Sequence, residues 1–266
     1  MIIGDWGDVV KRTLTEPQSV DAFVGYNKRM TTFFITGIDT DIGKTWATGM
    51  AARYLHRQGK KVITQKLVQT GYSDAVCVIP EDILEHRRLM GTLTSAEDSP
   101  THSKNGQRNG ALTCPYIFTY PASPHLAARL ENQIIEPEKI TRYTAILQRH
   151  YDFVLLEGAG GFLVPLTPHL LMADYIEQQQ YPIILVTSGR LGSINHTLLT
   201  VEAIQRRNLS LACLVFNQYP PQDEIISNDS LALFRQICPN VVMLPRIDSN
   251  QIPEVDFSCL LEERWN

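Results

Sequence analysis

A glycine-rich segment, Gly37–Thr45, carries the residue types that bind the phosphates of a nucleoside triphosphate. It follows a short apolar run and precedes a helical pattern, so successive N–H groups can converge on phosphate oxygens at the positive end of a helix. Gly37 and Gly43 permit backbone torsions closed to other residues. Lys44 can reach the β- and γ-phosphates, and Thr45 can bind Mg²⁺. The segment therefore predicts a site for a nucleoside triphosphate and magnesium, although five residues rather than the common four separate its glycines.

Two more segments carry charged groups that suit the same site. Glu157 follows the apolar run 153–156 and precedes Gly-Ala-Gly-Gly, so its carboxylate could hold magnesium directly or through water while loop amides face an anion. An exposed glutamate on a flexible turn is the alternative. Lys66 lies in or just beyond a strand-like run, where a charge is unfavourable unless an anion neutralises it. A strand-edge lysine that reaches solvent is the alternative there.

Thr70 and Asn217 give weaker signals. Thr70 precedes Gly71 and could donate its hydroxyl to a bound anion, and Asn217 ends an apolar run and could pair its amide with the adenine edge. Both residue types also occur at turns and strand ends for local reasons. His125 and His196 have no second ligand at metal spacing, so we expect packed or capping side chains there.

The composition argues against several classes of partner. Among 266 residues, 24 basic and 28 acidic side chains give a net charge of −4, without the basic excess that binding a nucleic-acid backbone needs. The short basic clusters 56–61 and 86–88 are expected to form solvated faces. Five widely spaced cysteines form no C-x-x-C pair, which fits a reducing setting. No apolar run approaches the roughly 18–20 residues of a membrane span, and Asp5 and Asp8 argue against a signal peptide. We expect a cytoplasmic protein with neither a nucleic-acid nor a membrane partner.

The apolar periodicity predicts strands that alternate with helices. The expected strands are Thr32–Thr36, Lys61–Leu67, Phe153–Leu156, Pro182–Thr187, Leu211–Phe216 and Val241–Leu244. The expected helices are Lys44–Gln58, Asp82–Met90, Pro124–Glu131, Pro137–His150, Ala173–Gln179, Ser193–Arg207 and Asp229–Ile237. This order predicts an α/β fold with a doubly wound, mostly parallel sheet flanked by helices, and the glycine-rich segment 37–45 makes the expected fold P-loop NTPase-like. Residues 1–29 are expected to be a poorly ordered or peripheral extension, residues 30–266 a single domain, and Ser95–Gly110 a mobile surface loop.

Taken in order, these motifs resemble those of the dethiobiotin synthetase family. Its phosphate loop reads Gly-Thr-Asp-Thr-x-Val-Gly-Lys-Thr and contains the same extra residue as Gly37–Thr45. The likeness runs from about residue 30 to the C-terminus. Further matching segments are Lys66–Gly71, Ser123–His125, Leu156–Gly161 and Leu191–His196. The chain departs from the family in its N-terminal extension, in Leu67 where a proline is usual, and in its longer polar loop. The extra residue, which weakens a generic phosphate-loop match, is therefore a feature of this family.

The resemblance implies an ATP-dependent ligase of biotin biosynthesis that converts 7,8-diaminopelargonate and CO₂ to dethiobiotin. It implies that a carbamate forms, attacks the γ-phosphate of ATP to give a carbamic–phosphoric anhydride, and is closed by the second amine with release of phosphate. The catalytic residues that it implies are Lys44, Lys66 and Thr40. The residues that it places around Mg²⁺ are Thr45, Asp82 and Glu157, with Asp82 aligned less cleanly than the others.

The resemblance also implies a homodimer, with the substrate carboxylate near a helix start of the second subunit. The substrate-binding residues that it implies are Thr70, Gly192, Ser193 and Asn195. The ATP-binding residues that it implies are Asp41, Ile42, Gly43, Lys44, Thr45, Trp46, Asp82, Glu157, Gly158, Ala159, Gly160, Asn217, Gln218, Pro245, Arg246 and Ile247.

Two other functions stay open at the level of sequence. A partition- or positioning-type ATPase has a closely related fold, but its loop places a second lysine early, where this chain has Ile38 and Asp39. An amidoligase of the cobyrinate diamide type shares the nucleotide-binding domain but usually adds a glutaminase domain, for which the chain is expected to be too short. A related enzyme acting on another small carboxylate stays possible as well.

Overall fold

The computed structural model of this protein describes residues 31–72, 79–100, 110–245 and 252–265. The N-terminal extension and the middle of the polar loop, 101–109, lie outside these described residues. The division into an extension and one domain over 30–266 stays a prediction.

Within the described residues, six strands form one sheet in which each neighbouring pair is parallel. These strands are β1 Thr31–Gly37, β2 Val62–Lys66, β5 Phe153–Gly161, β8 Ile183–Ser188, β9 Leu211–Asn217 and β10 Val241–Leu244. Their order across the sheet is β10–β9–β8–β1–β5–β2. Strand β1 therefore lies in the middle, and the later strands lie on both sides of it. Two short pairs stand apart: β3 Val68–Gln69 with β4 Tyr116–Ile117, and β6 Pro165–Thr167 with β7 Leu170–Leu171.

Helices connect the strands at the expected places. They are α1 Lys44–Arg57, α2 Glu81–Met90, α3 Pro124–Leu130, α4 Pro137–Gln148, α5 Met172–Gln179, α6 Ser193–Gln205 and α7 Glu224–Ile237. Helix α7 begins five residues earlier than expected because the Asp223 carboxylate accepts hydrogen bonds from the N–H groups of Ile225 and Ile226. Short 3₁₀ turns occupy Ala96–Asp98, Ser258–Leu261 and Glu263–Trp265. No described helix is both long and apolar enough to span a membrane.

Successive side chains of the central strand face opposite sides of the sheet. Phe33 and Ile35 belong to an apolar cluster with Met50 and Leu55 of α1, whereas Phe34 belongs to the cluster on the other face. Because both faces are covered, the strands are apolar at successive positions rather than at alternate ones. The predicted α/β fold with a doubly wound parallel sheet is confirmed.

Strand β5 continues beyond the point where the sequence predicts a loop. Glu157 pairs with Ile35 of β1 on one side and with Lys66 of β2 on the other, and Gly161 still pairs with Gly37. The loop expected after Glu157 is therefore wrong, because pairing with β1 continues the strand to Gly161. This pairing fixes the backbone of Glu157 inside the sheet.

The beginning of the expected surface loop is also anchored. Residues 96–98 form the first 3₁₀ turn, and the Asp98 side chain is fully buried. Its carboxylate accepts hydrogen bonds from Arg87 Nε at 2.9 Å and Nη2 at 2.7 Å, and from the Thr113 hydroxyl at 2.8 Å. A mobile loop is thus the wrong prediction for this part of the segment, because the charge of Arg87 holds Asp98 in the interior.

Candidate active site

A cavity of about 660 Å³ opens where β1, β2, β5, β9 and β10 end. The residues that line it are Thr40, Asp41, Gly43, Lys44, Thr45, Trp46, Lys66, Val68, Gln69, Thr70, Asp82, Glu157, Ala159, Gly160, Asn217, Tyr219, Leu244 and Pro245. This position is where open parallel α/β sheets bind ligands. The volume lies in the range of small-molecule and cofactor sites, about 300–1,000 Å³.

The glycine-rich turn between β1 and α1 forms one wall of the cavity. Gly43 precedes α1 with a φ of 99°, and a Cβ there would lie 2.4 Å from Nδ2 of Asn217. Gly37 does not use this freedom, because its φ is not left-handed. What requires glycine at that position is space, because a Cβ would lie 2.4 Å from Cγ2 of Ile42. Asp41 takes the second left-handed position of the turn, with a φ of 55°.

Lys44 is buried at the first position of α1. Its Nζ donates a hydrogen bond to the backbone oxygen of Asp39 at 2.9 Å. Burial, and then repulsion from Lys66, lower the pKa of Lys44 from 10.5 to about 8, against smaller opposing effects of nearby carboxylates. The carboxylates near Lys44 are therefore too few or too distant to keep its pKa at the usual value. Bound phosphates would favour the charged ammonium and raise that pKa.

Oxygen ligands converge beside this lysine. Thr45 Oγ1 lies 3.2 Å from Asp82 Oδ1 and 3.1 Å from Glu157 Oε1. One hydroxyl and two carboxylates are hard donors of the kind that Mg²⁺ takes when phosphate and water supply the remaining positions. No group of three or more His, Cys, Asp or Glu residues with metal-binding geometry occurs in the described ranges. The residues thus fit a magnesium ion bound together with a nucleotide and do not form a closed all-protein cage.

Lys66 ends β2 in contact with both carboxylates. Its Nζ lies 2.7 Å from Asp82 Oδ2 and 2.6 Å from Glu157 Oε1, and it donates a longer hydrogen bond, 3.2 Å, to the Gly158 oxygen. Burial opposes the charge of Lys66, but Glu157 and Asp82 outweigh it, so its pKa is raised. Burial likewise opposes the charge of Glu157, and Lys66 and His86 outweigh it to lower the pKa of that carboxyl. Both groups are therefore charged at neutral pH.

His86 is a residue of this site that sequence reasoning missed. The cluster 86–88 was expected to be solvated, yet His86 is fully buried and Arg87 is 4% exposed, while Arg88 lies at the surface. His86 Nε2 lies 2.7 Å from Glu157 Oε2. The expectation fails for these two residues because α2 turns them towards β2 and β5. The cluster 56–61, in contrast, is exposed as expected.

The opposite end of the cavity has looser polar contacts. Asn217 donates from Nδ2 to the Ile42 oxygen at 2.9 Å and accepts from the Tyr219 N–H at 3.0 Å. These bonds tie the end of β9 to the phosphate loop and leave one N–H of the amide for another partner. Tyr219 and Leu244 line the cavity but belong to no motif, so no sequence signal could have identified them.

Not every predicted ATP-binding residue faces the cavity. Ile42 is buried in the core, and Gly158 contributes its carbonyl to Lys66 rather than to the lining. Gln218 is exposed outside the lining, with its N–H bonded to the Leu244 oxygen. Arg246 and Ile247 lie outside the described residues. The other predicted members of the set line the cavity.

The predicted substrate-binding residues fall into two places. Thr70 and the catalytic candidate Thr40 line the cavity, but Gly192, Ser193 and Asn195 do not. These three lie at the start of α6, where Ser193 is buried with its hydroxyl 3.0 Å from that of Ser188 and Asn195 is exposed. A single chain therefore does not bring the two groups together.

The parallel sheet and the phosphate-binding turn before α1 define a nucleotide-binding α/β protein of the P-loop class. A family model described as an AAA domain matches residues 31–251. An ATP-dependent dethiobiotin synthetase BioD 2 of Pasteurella multocida is 50% identical over 204 residues, which cover 77% of this chain and 89% of the relative. The BioD of Chlorobaculum tepidum is 50% identical over 224 residues, 84% of this chain and 85% of the relative. The chain belongs to the ATP-dependent dethiobiotin synthetase family.

This membership decides between the functions that the sequence left open. The family resemblance is confirmed, and neither a partition-type ATPase nor another amidoligase is favoured.

Among solved structures, a ParA family ATPase from Chlorobium tepidum superposes with a TM-score of 0.47 at 13% identity, covering 84% of this chain and 86% of that one.

Proposed function

We propose how this member of the family carries out its reaction as an ATP-dependent dethiobiotin synthetase. It converts 7,8-diaminopelargonate, CO₂ and ATP to dethiobiotin, ADP and phosphate. The observation that carries this proposal is the meeting of Lys44, Lys66 and Glu157 in one cavity of a chain that is 50% identical to dethiobiotin synthetases.

The reaction has three chemical steps. One substrate amine attacks CO₂, which forms a C–N bond, and the nitrogen loses a proton to give a carbamate. A carbamate oxygen then attacks the γ-phosphorus, and the bond from that phosphorus to the ADP oxygen breaks. The second amine attacks the carbamoyl carbon, loses a proton and expels phosphate as the ring closes. Phosphorylation is needed because a carbamate is a poor electrophile without a leaving group.

The two lysines supply positive charge where negative charge accumulates. Burial opposes the charge of Lys66, but Glu157 and Asp82 outweigh it and raise its pKa, so it stays protonated and stabilises the carbamate and the transferring phosphoryl group instead of acting as a base. Lys44 meets the β- and γ-phosphates, which raise its lowered pKa again on binding.

Mg²⁺ would be held by the Thr45 hydroxyl and by the Asp82 and Glu157 carboxylates, whose oxygens lie within 3.2 Å of Thr45 Oγ1. When bound with ATP, the ion offsets charge on the phosphate oxygens. The lining residues Thr40 and Thr70 position the diamine.

At the other end of the cavity we assign Asn217 to the adenine edge. Its amide retains one N–H after donating to the phosphate loop, and its side chain lines the cavity. Pro245, which lines the cavity together with Asn217, completes the described part of the nucleotide site in this proposal.

We further propose a homodimer in the cytoplasm. Gly192, Ser193 and Asn195 begin α6 outside the cavity of their own chain, and N–H groups at a helix start suit a substrate carboxylate bound by the partner subunit. Leu191 and Leu199 nearby are 85% and 56% exposed, which supports burial of this surface against a second copy.

The proposed location in the cytoplasm is supported by the four described cysteines, because their free thiols fit a reducing compartment.

ADP release with and without the diamine tests the proposal. We expect hydrolysis of ATP to be slow with bicarbonate alone and strongly stimulated when 7,8-diaminopelargonate is added, with dethiobiotin formed in equal amount to ADP. The matched control omits bicarbonate from degassed buffer. ADP release that the diamine does not stimulate would refute the assignment.

A further inference from the structure

A continuous chain of buried polar side chains runs from the 3₁₀ turn at Ala96–Asp98 to Glu157. Arg87 Nη1 lies 2.9 Å from the Thr64 hydroxyl, and that hydroxyl lies 3.0 Å from His86 Nδ1. His86 Nε2 then lies 2.7 Å from Glu157 Oε2. The side chains of Asp98, Thr64, His86 and Glu157 are fully buried, and Arg87 is nearly so. Polar side chains that are buried this deeply are stable in the interior because each has hydrogen-bond partners.

From Arg87 onwards, each hydrogen bond of this chain is donated in the direction of Glu157. Arginine has only donors, so Arg87 donates to the Thr64 oxygen as well as to Asp98. Among the described residues, the Thr64 hydroxyl is bonded to Arg87 and His86, so its own proton is satisfied when it donates to Nδ1. The remaining ring nitrogen, Nε2, then carries the hydrogen that faces Glu157. Every buried group is satisfied by this one assignment.

The two carboxylate oxygens of Glu157 consequently have different hydrogen-bond partners. Oε2 accepts from His86, while Oε1 faces Thr45 at 3.1 Å and Lys66 at 2.6 Å. A carboxylate held at one oxygen cannot rotate about its terminal torsion, which is otherwise broad. The other oxygen is therefore kept towards the phosphates.

We propose that His86, held by Thr64 and through Thr64 by Arg87, is the positioning residue that fixes the rotamer of Glu157 for metal–nucleotide binding and phosphoryl transfer. The proposal rests on the proposed function. His86 touches neither substrate nor nucleotide in this role. It acts through Glu157, as the hydrogen-bond partners behind metal ligands commonly do, and removing such a partner typically lowers metal affinity or activity by about 10- to 100-fold.

A matched pair of variants at position 86 tests this role. His86→Leu keeps a side chain of similar bulk without a donor, whereas His86→Gln can place an N–H near the position of Nε2. We expect His86→Leu to lower kcat by about 10- to 100-fold and to weaken Mn²⁺ binding to the ADP complex, followed by electron paramagnetic resonance, by a similar factor. ADP affinity without metal should stay within about twofold of the parent. His86→Gln should recover most of both losses.

A control variant and a thermal melt separate positioning from simple loss of stability. His56→Leu replaces an exposed histidine in the last turn of α1 and should leave kcat and Mn²⁺ affinity within about twofold of the parent. The proposal is overturned if folded His86→Leu matches the parent in kcat and Mn²⁺ affinity. It is overturned equally if folded His86→Gln is as impaired as folded His86→Leu.

The pair Thr64→Val and Thr64→Ser decides the question if His86→Leu does not fold. Thr64→Ser keeps the hydroxyl that holds the ring, and Thr64→Val removes it at nearly constant volume. We expect Thr64→Val to lower kcat and Mn²⁺ affinity while Thr64→Ser stays near the parent. Equal values for the two folded variants would contradict the proposal. Because all comparisons are made against the parent, a parent that the diamine does not stimulate refutes the proposed function instead.

Discussion

The phosphate end of the cavity consists of buried charged side chains, whereas the side chains at its rim are exposed. At the phosphate end, Lys44 and Lys66 are each 6% exposed and Glu157 is fully buried, and the three are bound to one another or to the backbone. At the rim, Tyr219 is 61% exposed and Thr40 lies at the surface. Buried charges without partners are strongly unfavourable, whereas exposed groups carry no such requirement.

This difference predicts where substitutions will act. The buried charges depend on one another, so a change at the phosphate end should disturb several groups together and lower kcat strongly. A change at the rim should alter one contact with the nucleotide and mainly affect KM. The following variants test this contrast.

Lys66→Ala should have the largest effect. We expect kcat to fall by about 10²- to 10³-fold, because the ammonium that stabilises the carbamate and the phosphoryl group is lost. ATP binding, measured by isothermal titration calorimetry, should stay measurable because Lys44 and the loop amides remain. The thermal midpoint should fall in the absence of ligand, since Asp82 and Glu157 lose the cation between them. An equal loss of ATP affinity and kcat would mark Lys66 as a structural residue.

Gly43→Ala should rank second. A left-handed φ of 99° strains any residue with a Cβ, and that Cβ would lie 2.4 Å from Asn217 Nδ2, so the Asn217 amide or the loop must shift. Strain of this kind is about 1–3 kcal/mol, and we expect a similar loss in ATP affinity, about 5- to 150-fold. Gly59→Ala is the matched control, because Gly59 has a φ of 75° but nothing within 4 Å of a Cβ. Equal ATP affinity in the two variants would show that the close approach at Gly43 does not matter.

The contrast between the two ends also explains what the sequence could predict. Gly43, Lys44 and Thr45 are contiguous and precede a helix, so local chemistry indicates their role. The pattern of apolar runs located β2 and β5, and with them Lys66 and Glu157. These predictions succeed because the phosphate end is made from residues at the ends of regular elements.

The remaining features depend on contacts between distant segments. His86 meets Glu157 across 71 positions of sequence, and beside two arginines it is indistinguishable from the basic end of a helix. The strand conformation of the segment after Glu157 comes from the pairing of Gly161 with β1, which overrides the glycines of the segment. At the rim, Tyr219 has no pattern that distinguishes it from any exposed tyrosine. No local rule carries this information.

Asn217→Ala should have a smaller effect than the changes at the phosphate end. The variant removes one hydrogen bond to the Ile42 oxygen and one from the Tyr219 N–H, together with the proposed contact to adenine. A neutral hydrogen bond contributes about 0.5–1.5 kcal/mol, so loss of the proposed bond to adenine should raise KM for ATP about 2- to 13-fold while kcat changes little. Steady-state kinetics with ATP and GTP measures the outcome. A kcat loss as large as that of Lys66→Ala would show that Asn217 instead holds the phosphate loop in its active shape.

The pH dependence of ATP binding should be the mildest test. Burial and Lys66 lower the pKa of Lys44 to about 8 in the free protein, and bound phosphates favour its charged form. ATP affinity should therefore be highest below pH 8 and fall as the pH rises above it, by about fivefold between pH 8 and 9. Titration calorimetry at pH 8 in buffers of different ionisation enthalpy should show uptake of about half a proton per ATP. Lys44→Arg keeps its charge throughout this range, so its affinity should lose this pH dependence even if it is weaker overall. Proton uptake that persists unchanged in Lys44→Arg would place the titrating group elsewhere in the cavity.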